Sequence, residues 1–210
     1  MFLRTLITSL ILLFLQQFSA EAQIRTTYEK SFNIQGGLTY NTSPEYNKFW
    51  NYGYTFAISR EKEFNSGWYV LGGARYSRIT FSDDDFLIST GLGADPNTEL
   101  DFDDSQIMQA WGAIKYAYPL IFSRLRIHGM GGIHVSYYDA GSVTVANQVG
   151  FDIKEEDNLY AGLLFGGGLS FELIPEKLRI FAETQYHIGS TAGTDTIFIG
   201  IWPVEFGISF

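Results

Sequence analysis

The 210-residue chain contains no cysteine. That excludes a disulfide framework, thiolate metal sites and thiol redox chemistry. It also excludes a lipoprotein anchored through an acylated cysteine. Charge is scarce as well, at 18% of residues, against about 25% in ordinary soluble domains. Positive charge is scarcest: 14 Lys and Arg stand against 23 Asp and Glu, for a net charge of −9. A nucleic-acid partner asks for a basic face, so none is expected. Beyond the N-terminus no run of 18 apolar residues occurs. A helical membrane span is therefore absent from that region, and any insertion into a bilayer must use strands. No phosphate loop, zinc motif or dinucleotide fingerprint is present, and no cofactor is expected.

Aromatic residues and glycine are abundant, at 17% of the chain and 22 residues respectively. Residues 1–22 read as a signal peptide. Arg4 supplies the positive start, Leu6 to Leu15 the apolar core, and Ala20-Glu21-Ala22 the small-x-small cleavage site. The apolar run is well short of the ~20 residues of a membrane-spanning helix. Cleavage near Ala22 would leave a short N-terminal segment, 23–30, ahead of one domain over 31–210.

That domain alternates at period two, in segments of about ten residues or more separated by turn chemistry, the pattern of a transmembrane barrel. The segments lie at about 31–40, 51–60, 68–80, 106–118, 125–138, 158–171 and 178–188, with the last running from Phe198 to Phe210. In each, aliphatic and aromatic residues share one face, as Phe32, Ile34, Leu38 and Tyr40 do in the first. The third has the least clear parity, because Tyr69 and Leu71 are apolar on the face that carries Arg75 and Ser77. The links after segments two, four and six are short, and those after one, three and five are longer. Short periplasmic turns and longer outside loops are the rule in outer-membrane barrels. The expected fold is an all-β, eight-stranded, antiparallel up-and-down transmembrane β-barrel, with periplasmic termini and four outside loops.

Lipid cannot satisfy backbone polar groups, so the sheet must close, with an apolar outside and a polar inside. Lys115, Arg126, Arg179, Glu183, Glu205 and the three histidines all fall on the inner parity. An eight-stranded barrel is just wide enough for side chains to fill it. These charges are therefore expected to form a packed salt-bridge network, with an ion-selecting pore as the alternative. Tyr40, Tyr52, Tyr137 and Tyr138 near the outer ends, with Trp68, Tyr116 and Tyr118 near the periplasmic ends, read as interfacial girdles.

The ending Phe206-Gly207-Ile208-Ser209-Phe210 resembles the assembly signal of outer-membrane proteins. With the signal peptide and eight segments, the chain is similar to the small OmpA/OmpX-like outer-membrane barrels. The resemblance implies recognition of Phe206, Ile208 and Phe210 by the barrel-assembly machinery. It also implies residence in the Gram-negative outer membrane, contact with its lipids and lipopolysaccharide, and a monomer.

Three local features compete for function. Asp83, Asp84, Asp85, Asp101, Asp103 and Asp104 cluster between segments three and four. Such carboxylates can hold Ca²⁺ or Mg²⁺, but no EF-hand spacing is present, and a solvated loop tip is expected. His134-Val135-Ser136 looks slightly like the His-x-Ser element of PagL-type lipid A deacylases. The acid that orients the histidine in that family is missing where Val145-Ala146-Asn147-Gln148 stands, and the pair points inward. The expectation is a barrel with a structural or surface-interaction role and no catalytic activity. A narrow channel for small solutes, a lipid A-modifying enzyme and a soluble lipocalin-like barrel are the alternatives. In the last of these the apolar rows would point inward.

Overall fold

The computed structural model describes residues 30–42, 49–92, 99–120, 124–139, 141–145, 153–154, 158–175, 177–191 and 198–210. The expected cleavage site and most of segment 23–30 lie outside them. The strands are β1 Lys30–Asn41, β2 Trp50–Asn65, β3 Trp68–Phe81, β4 Leu100–Phe102, β5 Ser105–Pro119, β6 Leu125–Asp139, β7 Ser142–Val145, β8 Ile153–Lys154, β9 Asn158–Ile174, β10 Leu178–Thr191 and β11 Phe198–Ser209. A helix, α1, spans Asp83–Thr90.

Eight of these strands close into a barrel in the order β1-β11-β10-β9-β6-β5-β3-β2, each paired antiparallel with its neighbours. They are the eight expected segments. β1 and β11 form the closing seam, where Phe32 and Phe210 exchange backbone hydrogen bonds of 2.7 and 3.0 Å. At one end the links are short. Asn65 pairs with Trp68, leaving Ser66-Gly67 as the turn. Gly67 has φ 74°, a left-handed conformation that glycine adopts without steric cost. The opposite end carries the long links and is called the loop end below.

The burial pattern is inside-out relative to a soluble protein. Phe206, Ile133 and Leu38 are exposed at 67%, 66% and 53%. Glu205, Gln185 and Arg75 are buried at 0%, 1% and 4% exposure. The apolar rows point outward, which removes the lipocalin-like alternative. Tyr69 and Leu71 turn inward with Arg75 and Ser77, resolving the parity of β3.

Two stretches expected as plain loops hold structure. The acidic stretch 82–105 contains α1 and β4, and the stretch 139–157 contains β7 and β8. β4, β7 and β8 form a separate three-stranded sheet. Such short elements lack enough alternation to be read as strands. Phe86 of α1, Leu100 of β4 and Val143 and Val145 of β7 pack in one apolar cluster on the barrel rim.

Candidate functional site

The lumen is filled in layers, from the turn end to the loop end. In the first layer, Glu61 of β2 accepts hydrogen bonds from Ser31 Oγ at 3.0 Å and Arg179 Nη1 at 3.0 Å, and it pairs with Lys115 Nζ. The Lys115 ammonium lies 5.1 Å from the Tyr69 ring centre. Nearby, Arg126 pairs with Glu172 at 2.6 Å and donates to the Tyr69 hydroxyl at 3.0 Å.

In the next layer, Glu183 accepts from Gln185 Nε2 at 2.5 Å and Gln35 Nε2 at 3.4 Å, with His128 Nε2 at 3.2 Å. Gly166 and Gly168 of β9 make room here. A Cβ on Gly168 would sit 2.8 Å from the Glu183 Cβ, and one on Gly166 would sit 2.9 Å from the Gln185 Cγ. The inward glycines of this strand thus leave the lumen to longer polar side chains.

The centre is Arg75 of β3. Its Nε and Nη2 grip the Glu205 carboxylate of β11 at 3.0 and 2.7 Å. Its remaining donors reach Gln109 Oε1 at 2.9 Å, Gln185 Oε1 at 2.9 Å and His187 Nε2 at 2.7 Å. All five guanidinium donors are used. Because a guanidinium only donates, His187 Nε2 accepts at this contact. Glu205 also accepts from Gln35 Nε2 at 2.6 Å and Thr55 Oγ1 at 3.3 Å. Four strands besides β3 and β11 therefore converge on one ion pair. Leu71, Trp111, Ala113, Met130 and Leu164 form a buried apolar cluster inside the same barrel, and the guanidinium carbon lies 6.0 Å from the Trp111 ring centre.

Above this, His134 Nδ1 and Gln109 Nε2 each lie 2.9 Å from Ser136 Oγ, and the His134 and His187 rings are 5.2 Å apart. The loop end is closed by a second apolar cluster that includes Phe49, Trp50, Phe81, Phe86, Val143 and Tyr160. Phe86 anchors α1 edge-on against Phe49 with ring centres 5.0 Å apart. Tyr137 and Tyr138, expected in an interfacial girdle, are buried at this end, whereas Tyr40, Tyr52, Trp68, Tyr116 and Tyr118 are exposed as expected. Trp50 Nε1 donates to the Asp103 carbonyl at 3.1 Å. Trp50→Phe is expected to weaken the cap by about 1 kcal/mol, the usual net worth of one hydrogen bond. Faster proteolysis at the loop end, with the barrel's heat-dependent gel shift unchanged, is the measurement.

Of the five interior charges expected from parity, Lys115 and Arg179 pair with Glu61, Arg126 with Glu172 and Glu205 with Arg75, and the Glu183 carboxylate lies 3.2 Å from His128 Nε2. Glu61 and Glu172 were not anticipated as partners. β2 and β9 run past the expected ends at 60 and 171, and the period-two pattern continues through them. The six acidic candidates are divided. Asp83, Asp84 and Asp85 make the first turn of α1, where negative charge complements the helix dipole. Asp101 lies in β4, Asp103 accepts from Ser142 at 3.2 Å, and Asp104 pairs with Arg78 at 2.8 Å. Among the described residues no three His, Asp or Glu are grouped as metal ligands would be. Phe206, Ile208 and Phe210 project from the outer face of the closing strand.

No family model matches the sequence, and no curated protein matches it. Solved structures do. The barrel resembles Neisserial surface protein A with a TM-score of 0.54 and 13% identity, over 88% of this chain and 98% of that one. It resembles the attachment invasion locus protein Ail of Yersinia pestis, solved with the heparin analogue sucrose octasulfate, with a TM-score of 0.51 and 19% identity. That match covers 88% of this chain and 100% of that one. The outer membrane protein OprG from Pseudomonas aeruginosa matches with a TM-score of 0.51 and 13% identity, over 90% and 99%. At these identities the likeness is one of fold. The class is therefore that of the closed eight-stranded antiparallel β-barrel, the fold that the sequence leads one to expect.

Proposed function

We propose that this chain is an integral outer-membrane barrel with a structural or surface-contact role. The observation that carries this reading is the inverted burial, with an apolar belt around a lumen packed with paired charges. An apolar belt of this kind suits lipid, and in the described strands the charges that face the lumen pair with one another. The alternation of short and long links supports periplasmic termini and four outside loops, the third and fourth of unequal length. The apolar closing strand supports handling by the barrel-assembly machinery. The expected surroundings are outer-membrane lipids and lipopolysaccharide, around a monomer.

The role is non-catalytic. His134 and Ser136 form a base–hydroxyl pair, but both are buried inside the barrel, away from any lipid substrate. Lipid A mass spectra should be the same with and without the protein. The relative Ail was solved with a polyanionic sugar. Here the described loop end presents exposed Asp83, Asp84, Asp85, Asp101 and Asp103, so contact with a polyanion is not expected.

The test is expression with the leader in a Gram-negative host. A band in the outer-membrane fraction that shifts on boiling is expected, and a soluble periplasmic protein without a shift would sink the assignment. Purified barrel in planar bilayers should give no conductance steps. Regular steps would replace the structural role with that of a narrow channel.

A further inference from the structure

Asn33 and Ser209 face each other across the seam that closes the barrel, as cross-strand partners on β1 and β11. Both point into the lumen and are exposed at only 5% and 3%. The Asn33 amide nitrogen donates to Ser59 Oγ at 3.1 Å, which leaves its carbonyl oxygen as an acceptor. Asn33 Oδ1 and Ser209 Oγ both lack a hydrogen-bond partner within the protein. Buried polar groups are satisfied in the great majority of cases, by protein or by ordered water. Two such atoms side by side point to a shared ligand.

The surroundings define that ligand. Both residues line one cavity with Gln35, Glu61, Lys115 and Arg179, and the room for a water centre is about 10 Å³. That is about the minimum for a single water, which needs polar partners on several sides. The acceptor on one side and a hydroxyl on the other call for a molecule that both donates and accepts. The wall holds cations and carboxylates together, so neither a free anion nor a free cation is favoured. We propose that the β1–β11 seam holds one ordered water molecule, donating to Asn33 Oδ1 and accepting from the Ser209 hydroxyl. It acts as a structural ligand between the first and last strands of the barrel, one row from the Phe32–Phe210 backbone pair.

A crystal structure of the full barrel in detergent, at a resolution that shows ordered solvent, tests this directly. Density within hydrogen-bond distance of both atoms is expected. Direct contact between Asn33 and Ser209, or no density between them, would overturn the proposal. Water-oxygen magnetic relaxation dispersion on the refolded barrel gives a second readout. The count of long-lived waters should fall by one in Asn33→Leu/Ser209→Ala, and in Ser209→Ala alone should the double variant not refold. An unchanged count in a variant that keeps its gel shift overturns the site.

Discussion

Arg75→Leu is expected to destabilise the folded barrel by about 3–5 kcal/mol, the usual cost of removing one partner of a buried ion pair. The reason is what stays behind. Glu205 is fully buried, and its other partners in the lumen are the neutral side chains of Gln35 and Thr55. Gln109, Gln185 and His187 each lose a charge-assisted hydrogen bond at the same time. The double variant Arg75→Leu/Glu205→Leu should recover much of the loss, because apolar replacement of a whole buried pair is often neutral. Reversible urea unfolding in lipid vesicles, followed by tryptophan fluorescence, measures both. A single-variant cost under about 1 kcal/mol would show that the centre of the lumen is hydrated rather than packed.

Phe165→Arg should cost about 2–4 kcal/mol in the same assay, the penalty for arginine facing lipid near the bilayer midplane. Phe165 lies midway along β9, is 55% exposed, and sits between Gly131 of β6 and Tyr186 of β10. A wet outer face would accept the arginine at almost no cost, since surface substitutions usually fall within about 0.5 kcal/mol. Phe165→Leu is the control and should be near neutral. Equal stability of the arginine and leucine variants would remove the belt from the membrane. The two experiments probe the inner and the outer face of the barrel wall.

The strands were legible because each carries its own alternation. Phe32, Ile34, Leu38 and Tyr40 mark an outer face without reference to any other part of the chain, and β1 pairs in the register this requires. The interior charges were legible for the same reason: parity alone sends Lys115, Arg179 and Glu205 inward. Their partners were less so. Arg75 is one inward charge among several in the sequence, and Glu61 stands in the mixed run Arg60-Glu61-Lys62-Glu63, which hides its parity. The folded loop end was not legible. Phe49, Phe86 and Val143 lie far apart in the chain and meet only above the rim.

By itself the sequence determined the number of barrel strands, their faces and the alternation of short and long links. Those follow from local chemistry: side chains alternate along any strand, and a bilayer accepts only one kind of face. Tertiary structure alone decided which charges pair, that Arg75 of β3 meets Glu205 of β11 across the lumen, and that the acidic stretch folds into a cap. Closing the sheet brings together inner faces from strands more than a hundred residues apart in the chain. Such pairings depend on register and barrel diameter, which are properties of the closed sheet and of no single segment.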